Sequence, residues 1–243
     1  MRIIKLSAIG STNTFLREIR NAEPMEDYTV VVAEHQTKGR GQMGTNWQDQ
    51  DGKNLTCSVF KDVSFINLDY NFYICMVVSL SVISVLKDLK IPKTHIKWPN
   101  DILAENKKVC GILIENVIKN NNLSASIIGI GLNINQTEFN QLPNASSLVQ
   151  ITGKHFLVED ILNQLLEALK LNFKRLENKD FEGLKKNYED QLFRKNKPST
   201  FKDPTGNLFS GYIKGVTNSG KLKVLLEDDL VKEFDLKEIQ LLY

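Results

Sequence analysis

The sequence predicts a mixed α+β fold followed by a small all-β tail. Three observations lead to this class. Apolar residues recur at helical spacing in a few segments, β-branched runs bounded by polar turns lie between them, and after Lys195 short strand patterns alternate with turn residues. We therefore expect a largely antiparallel mixed sheet flanked by helices in residues 1–195, and a small β-barrel in residues 196–243.

The first half of the chain combines strand and helix signals. A strand is predicted at residues 1–7, and a short helix follows at Ser11–Arg20, where Ser11 or Asn13 can act as the N-cap. The later elements are a buried strand at Thr29–Ala33, a strand at Leu55–Phe60 and a long helix at Asp69–Leu89, which ends before Pro92.

The second half begins with strands joined by polar turns, which predict antiparallel hairpins. These strands are expected at His95–Lys97, Ile102–Ala104, Lys108–Ile118 and Ser126–Asn133. Two helical stretches follow, at Val158–Leu176 and Phe181–Phe193. From Pro198 onward, short strands separated by Gly, Asn and Asp turns make up the tail.

The composition excludes several classes of protein. The formal net charge is +2, which is too small to indicate nucleic acid as the main partner. The longest apolar runs, such as Tyr73–Leu86, are interpreted as too short and too polar to span a bilayer. Met1–Ser7 has no secretory pattern, and three widely spaced cysteines suit buried thiols in a reducing cytoplasm. We expect a cytoplasmic protein that binds neither nucleic acid nor membrane.

The segment His35–Asn46 is polar and contains Gly39, Gly41 and Gly44 without a periodic apolar pattern, which predicts a mobile loop. Glycines at this spacing permit positive φ and let backbone amides approach an anion. Arg40 lies between two of them and can present a fork of donors to a carboxylate or phosphate. Composition alone favours anion binding and a plain flexible surface loop equally.

Two further motifs place charges at strand ends. In Lys97-Trp98-Pro99-Asn100-Asp101, opposite charges flank an aromatic ring and an amide. Taken alone, this motif is better explained as a turn held together by the tryptophan and a Lys–Asp pair. In Lys108-Val109-Cys110-Gly111, a lysine opens an apolar strand and a glycine leaves space for a ligand beside it. Taken singly, a solvated hairpin lysine is the better interpretation of Lys108.

The remaining motifs offer uncharged polar groups. Gly129-Ile130-Gly131-Leu132-Asn133 places glycines in a strand, where they indicate close approach of backbone or ligand, and Asn133 can both donate and accept. Ser11-Thr12-Asn13 begins a helix, where a capping role is usual.

The order of these motifs resembles that of the biotin protein ligase family. The resemblance runs from Ser-Thr-Asn through Gln-x-x-Gly-Arg-Gly, Trp47, Lys-Trp-Pro-Asn-Asp and Lys-x-x-Gly-Ile-Leu-Ile-Glu to Gly-Leu-Asn-Ile, with Ala145–Leu148 similar to a further family segment. It covers roughly residues 6–148, and the tail is similar to the family's SH3-like domain. The resemblance implies the class II synthetase-like biotinyl/lipoyl ligase fold.

The resemblance implies a two-step reaction. Biotin and ATP give biotinyl-5′-adenylate and pyrophosphate, and a lysine of a biotin carboxyl carrier protein then takes the biotin and releases AMP. Mg²⁺ is expected to offset the triphosphate charge, with ligands that the sequence does not assign. Positioning and charge neutralisation suffice for this chemistry, so a protein nucleophile is not required.

The resemblance also implies roles for particular residues. Arg40, Lys108 and Asp101 are the expected catalytic residues, with the two cations converging on one pocket and Asp101 holding or deprotonating the incoming amine. The expected biotin-binding residues are Ser11, Thr12, Asn13, Gln36, Gly39, Arg40, Gly41, Gln42, Lys108 and Gly111. The expected nucleotide-binding residues are Arg40, Trp47, Lys97, Asn100, Lys108 and Asn133.

Two features depart from well-known members of that family. Gln42 and Thr45 stand where arginines occur, so we expect activity with a leakier adenylate. The first motif begins at Ser11, which leaves no room for the helix-turn-helix of some members, so sequence-specific DNA binding is not expected. A lipoate or octanoate ligase and a non-catalytic biotin sensor are the alternatives. The sequence does not separate a monomer from a homodimer.

Overall fold

The computed structural model describes residues 1–140 and 142–243, and at Met43 it describes the backbone alone. The strands of the first sheet are β1 (Ile3–Ile9), β2 (Val30–Gln36), β3 (Leu55–Asp62), β4 (His95–Lys97), β5 (Asp101–Ala104), β6 (Lys107–Lys119) and β7 (Asn122–Leu132). The helices are α1 (Thr12–Ala22), α2 (Phe72–Asp88), α3 (Leu148–Thr152), α4 (Val158–Glu177) and α5 (Phe181–Asp190). The strands of the second sheet are β8 (Pro198–Lys202), β9 (Leu208–Val216), β10 (Leu222–Leu225), β11 (Val231–Phe234) and β12 (Gln240–Leu242).

Within these described ranges, the first sheet has the strand order β1-β2-β3-β7-β6-β5-β4. β1 and β2 are parallel, and α1 supplies the crossover that a parallel pair needs. The other neighbouring strands are antiparallel. This arrangement confirms the predicted mixed, largely antiparallel sheet flanked by helices.

Helices cover both faces of the first sheet. The main core lies between the sheet and helices α2, α4 and α5, and it includes the fully buried side chains of Ile74 and Phe173. On the opposite side, α1 packs through a smaller apolar cluster that includes Leu16, Val31 and Ile127. Because helices cover both faces, β3 and β7 are buried along nearly their whole length and lack the alternation of half-exposed strands.

Helix α2 corrects one expectation from the sequence. Together with a preceding 3₁₀ turn it forms a 21-residue segment, Leu68–Asp88, which is long and apolar enough to cross a membrane. The interpretation that this run is too short and too polar was therefore wrong. Most of the segment is buried against the sheet and the other helices, so burial in the protein core accounts for its apolar composition.

The tail forms the second sheet, whose order in the described part of the chain is β11-β10-β9-β8-β12. Its neighbouring strands are antiparallel, and Phe201, Phe209 and Phe234 stack in its interior. The all-β tail thus agrees with the sequence pattern. The SH3-like character of this sheet and the domain boundary after residue 195 stay predictions.

Two local expectations differ from the structure. Ser11 does occupy the N-cap position of α1, but its side chain makes no capping hydrogen bond within the described residues, and Asn13 lies inside the helix. Helix α3 was not predicted, because five residues are too few to show a helical period.

Candidate functional site

A cleft of about 310 Å³ opens between the first sheet, the loop after β2 and the strands of the second sheet. Most of the residues singled out in the sequence line it, although they come from segments far apart in the chain. Of the expected catalytic, biotin-binding and nucleotide-binding residues, Gly39 and Asn133 are the two outside the lining. Residues of the second sheet, including Leu222 and Leu241, complete one wall.

The charged centre of the cleft is an ion pair between Lys108 and Asp101, whose Nζ and Oδ1 lie 2.6 Å apart. On the antiparallel strands β5 and β6, Asp101 is the register partner of Gly111 and Lys108 that of Leu103, with a bulge between Ile102 and Leu103, so the lysine side chain extends past the bulge to reach Asp101. An added Cβ at Gly111 would lie 3.4 Å from the Lys108 Nζ, so this glycine leaves room for the ammonium group. Lys108 therefore faces the cleft, and it is not the solvated hairpin lysine of the simpler interpretation.

The turn between β4 and β5 is fixed on three sides. The amide nitrogen of Asn100 donates to the Ile112 carbonyl at 2.5 Å, and the hydroxyl of Tyr188 donates to the Pro99 carbonyl at 2.8 Å. The indole Nε1 of Trp98 donates to the Gly220 carbonyl at 2.8 Å, which ties the turn to the second sheet. The Trp98–Pro99 bond is cis. Asn100 thus shapes the site through the backbone that precedes Asp101.

Lys97 lies on the rim of the cleft beside this pair. Burial lowers the pKa of Lys97 below the ordinary lysine value, Asp101 opposes the shift, and Lys108 adds to it. Its Nζ lies 4.7 Å from the centroid of the Tyr243 ring, a cation–π distance. The two ammonium groups of Lys97 and Lys108 thus lie near one carboxylate at this end of the cleft, and they could attract a phosphate.

Uncharged polar groups form the wall opposite. Gln36 Oε1 accepts from the backbone nitrogen of Thr12 at 2.8 Å and from its hydroxyl at 3.1 Å. The hydroxyl of Ser58 bonds Thr12 Oγ1 at 2.7 Å and Asn13 Oδ1 at 2.6 Å. Ser11 lines the cleft beside them. Sequence reasoning missed Ser58, because a serine in an apolar strand carries no motif of its own.

Gly129 explains how Asn13 enters this wall. A Cβ on Gly129 would lie 2.5 Å from the Asn13 Oδ1, so a larger residue there would push the amide away. The amide nitrogen of Asn13 donates to Glu115 Oε2 at 2.8 Å. Both ends of the Asn13 amide are therefore engaged by protein groups, and its part in the wall is to hold the neighbouring groups in place.

The glycine loop has more structure than its sequence predicted. The backbone nitrogen of Trp47 donates to the Gly39 carbonyl at 3.0 Å, and that of Gly41 donates to the Thr45 carbonyl at 2.6 Å. These bonds make a small hairpin around a 3₁₀ turn at Gln42–Gly44. The segment is thus a loop that contains a short hairpin, and its mobility stays a prediction.

The glycines serve this hairpin in different ways. Gly44 has a φ of 79°, which favours glycine. An added Cβ at Gly39 would lie 2.6 Å from the Trp47 carbonyl oxygen, and one at Gly41 would lie 2.4 Å from the Thr45 hydroxyl. Gly39 therefore permits close packing of the loop on itself, which explains why it stands outside the lining of the cleft.

Trp47 lies over a floor made by two glycines. Gly111 and Gly131 are register partners on β6 and β7. Added Cβ atoms there would lie 3.2 Å and 2.4 Å from the indole ring. Among the described residues, Trp47 Nε1 and Asn133 Oδ1 are the buried side-chain atoms without a hydrogen-bond partner. A buried polar atom left without a partner is costly, so each is a candidate contact for a ligand.

Asn133 is held close to Lys108 by the segment before α3. Its Nδ2 donates to the Ser146 carbonyl at 3.0 Å, and its backbone nitrogen donates to the Val109 carbonyl at 2.8 Å. The backbone nitrogen of Ser146 in turn donates to the Lys108 carbonyl at 2.9 Å. In the described part of the chain, the Asn133 Oδ1 is left without a donor, and it lies next to β6, the strand that carries Lys108.

Arg40 lines the same cleft as Lys108, but its guanidinium is held by other groups. Its Nη2 donates to Thr14 Oγ1 at 3.0 Å and to Glu115 at 3.4 Å. The two cations therefore share one cleft, while Lys108 pairs with Asp101 and Arg40 pairs with Glu115 of β6. The predicted meeting of their tips requires Arg40 to leave Glu115.

Cysteine and metal chemistry find little support in the part of the chain described. Cys57 lines the cleft, but burial raises the pKa of its thiol to about 12, which disfavours the nucleophilic thiolate. Within residues 1–140 and 142–243, His, Cys, Asp and Glu do not form a group of three that could hold a metal ion.

The family model for the Biotin/lipoate A/B protein ligase family matches residues 6–133, more than half of the chain. The bifunctional ligase/repressor BirA of Bacillus subtilis (strain 168) is 32% identical over 169 residues, which cover 68% of this chain and 51% of that protein. The biotin--[acetyl-CoA-carboxylase] ligase of Mycobacterium tuberculosis is 32% identical over 145 residues, or 58% of this chain and 53% of that protein. The chain thus spans about half the length of these curated relatives.

Solved structures extend the likeness to nearly the whole chain. The biotin protein ligase from Aquifex aeolicus in complex with biotin and ATP has a TM-score of 0.82 and 29% sequence identity, covering 99% of this chain and 98% of that chain. Its R40G mutant in complex with biotin has a TM-score of 0.81 and 28% identity. The second sheet is therefore part of the shared architecture.

Proposed function

Because the chain belongs to the biotin/lipoate A/B protein ligase family, we propose that it is an ATP-dependent biotin protein ligase. In this proposal it forms biotinyl-5′-adenylate and transfers biotin to one lysine of a biotin carboxyl carrier protein. The identity to ligases from Bacillus subtilis and Mycobacterium tuberculosis supports the activity, and the latter's name supports a carboxylase carrier as the acceptor. The Aquifex complex supports biotin and ATP as substrates.

The observation that carries the proposal is the Lys108–Asp101 pair beside an uncharged polar wall. The ureido ring of biotin is neutral and needs neutral donors and acceptors, which Ser11 and the groups around Thr12 supply. Its carboxylate needs a cation, and Lys108 lies where the glycine floor leaves space. The cleft thus matches a ligand that is polar at both ends and charged at one.

In the first step, a carboxylate oxygen of biotin attacks the α-phosphorus of ATP, and pyrophosphate leaves with the electrons of the broken P–O bond. Lys108 and Arg40 lower the repulsion between the two anions and stabilise the charge that develops on the α-phosphate. Mg²⁺ would be expected to accompany ATP and to offset part of the triphosphate charge. The Asn133 Oδ1 would accept from the adenine amino group.

In the second step, the lysine amine of the carrier attacks the carbonyl carbon of the mixed anhydride, and AMP leaves. The amine must lose a proton as the amide forms. Once Lys108 turns toward the α-phosphate, the Asp101 carboxylate is free to hold the amine and accept that proton. The hairpin of the glycine loop would cover the adenylate and exclude the water that hydrolyses it.

Two measurements test this function against its alternatives. Calorimetry with biotin and with lipoate separates the two ligand classes that the family model covers, and we expect biotin to bind at least ten times more tightly. Pyrophosphate release from biotin, ATP and Mg²⁺ then separates an enzyme from a biotin sensor. Binding of lipoate in preference to biotin, or biotin binding without pyrophosphate release, would contradict the proposal.

A further inference from the structure

The carboxylate of Glu115, on β6, has three cationic or amide partners from two segments, helix α1 and the glycine loop, and the proposed ligase reaction does not explain this cluster. Its carboxylate accepts from Asn13 Nδ2 at 2.8 Å, lies 2.5 Å from Arg17 Nη2 and lies 3.4 Å from Arg40 Nη2. Its side chain is 22% exposed, which is much less than those of the two arginines. A half-buried carboxylate with this many donors organises its surroundings more than an exposed pair does.

The two arginines are held unequally. The Arg17 contact is short, whereas the Arg40 contacts with the two Glu115 oxygens measure 3.4 Å and 3.5 Å. Arg40 also lies on the glycine loop, whereas Arg17 lies within α1, and loops are in general more mobile than helices. Arg40 can therefore exchange Glu115 for another anion. When Arg40 leaves, Arg17 remains to neutralise the charge of the Glu115 carboxylate.

We propose that Glu115 is a positioning residue that holds Arg40 away from Lys108 in the ligand-free cleft and releases it to the carboxylate of biotin. This inference rests on the proposed function. The carboxylate of the ligand competes with Glu115 for one guanidinium, and the exchange brings the second cation beside the reacting groups. The loop hairpin moves with Arg40, so ligand binding and loop closure are coupled through one ion pair.

The test uses Glu115→Gln, which retains an oxygen that can accept from Asn13 but removes the charge that holds Arg40. The full chain is titrated by calorimetry with biotin and with biotinol, which has an alcohol in place of the carboxylate. We expect the ratio of the biotinol Kd to the biotin Kd to rise about two- to fivefold, the effect of one partly exposed ion pair. Glu115→Asp, which keeps the charge, should restore most of the native ratio.

A ratio that stays unchanged would overturn the inference, because a merely structural role of Glu115 would weaken both ligands alike. Arg17→Ala is the matched control, since it removes the other arginine from the same carboxylate. In this variant Arg40 is, among the residues that the structure describes, the one arginine left beside Glu115, so the ratio of the biotinol Kd to the biotin Kd should not rise. A rise in this variant equal to that in Glu115→Gln would also contradict the proposal.

A second readout needs no ligand and separates this inference from the ligase function. Trypsin cleaves after Arg40 only when its guanidinium is free to enter the protease. In the ligand-free protein we expect cleavage after Arg40 to be about two- to fivefold faster in Glu115→Gln than in the native chain, but not faster in Arg17→Ala. Equal rates of cleavage after Arg40 in all three proteins would contradict the inference. Failure of the native chain to bind biotin would instead contradict the proposed function, and the cleavage test would still apply.

Discussion

Lys108 is the residue on which the proposed adenylation depends most. It faces the cleft, pairs with Asp101 at 2.6 Å, and has space beside Gly111 to turn toward a bound phosphate. An ammonium group in this position stabilises charge that exists only while the carboxylate attacks phosphorus. Its contribution should therefore fall mainly on turnover, with a smaller part in binding biotin.

The variant Lys108→Ala should lower the rate of pyrophosphate release by about 10²- to 10³-fold, the usual loss when one group that stabilises transition-state charge is removed. The fold should survive, because the lysine is partly exposed and at the end of a strand. Steady-state pyrophosphate release and thermal unfolding measure the two effects separately.

Lys107→Ala is the matched control for this prediction. Lys107 is the adjacent, exposed lysine, and its Nζ donates to the Pro143 carbonyl outside the cleft. Its loss should leave turnover within about twofold of native, as expected for an exposed surface group. Full turnover in Lys108→Ala, or an equal loss in both variants, would show that Lys108 has no special part.

At this scale the sequence predicted most of the residues that line one cleft, whereas their binding and catalytic roles stay predictions. The motif order identified Lys108, Asp101 and the polar wall, because charged and polar residues at strand ends are visible in the sequence. The role of Gly39 in packing against Trp47, and of Ser58 in tying Thr12 to Asn13, depends on contacts between strands. Such contacts leave no local pattern.

At the scale of elements, the glycine loop is the one that should respond most to a change of charge. It forms a hairpin whose turn contains Gln42, and Gln42 lines the cleft. An amide there can donate a hydrogen bond to a phosphate but cannot neutralise it. Arginine at the same position would add a charge-assisted bond.

The variant Gln42→Arg should release biotinyl-5′-adenylate about three- to tenfold more slowly than the native chain, because hydrogen bonds to a charged donor add about 1 kcal/mol or more. The release rate is measured by trapping free adenylate after the protein is loaded with biotin and ATP. An equal release rate would refute the idea that glutamine makes the loop leakier.

The sequence predicted some helices and strands more accurately than others. The pattern predicted α2, α4 and the hairpin strands β6 and β7 with errors of a few residues at their ends, since long periodic runs are the clearest signal. Helix α3 was missed because it is one turn and its Ser147 cap has a weak signature. The loop hairpin was missed because polar residues and glycines hide its backbone pairing.

At the scale of the whole molecule, the second sheet contributes to the site as well as to the fold. Leu222 and Leu241 of that sheet line the cleft, and the Trp98 indole nitrogen donates to the Gly220 carbonyl in the turn between β9 and β10. Tyr243 covers the Lys97 ammonium. The turn that carries Asp101 is therefore held by both parts of the chain.

Replacing Trp98 by phenylalanine tests this connection. The variant loses the donor to the Gly220 carbonyl and part of the indole packing, so the free energy of unfolding should fall by about 1–3 kcal/mol. Because the turn precedes Asp101, the rate of biotin transfer should fall as well. Denaturant unfolding and a transfer assay measure the two effects, and native values in both would show that the sheet is only an appendage.

This connection could not be predicted from the sequence. The change of composition after Lys195 indicated a separate β-rich tail, which is correct as secondary structure. The contacts that join Trp98 to Gly220 and Lys97 to Tyr243 span more than a hundred residues. Contacts between residues so far apart in the chain depend on how the two sheets pack, and local sequence patterns do not predict them.

The most direct test of the central claim is the mass of a biotin-acceptor domain after incubation with this protein, biotin, ATP and Mg²⁺. The account predicts a mass increase of one biotinyl group on a single lysine, with AMP released in equal amount and with little product from Lys108→Ala. An acceptor of unchanged mass, with the native protein folded and able to bind biotin, would contradict the claim that this cleft is a ligase.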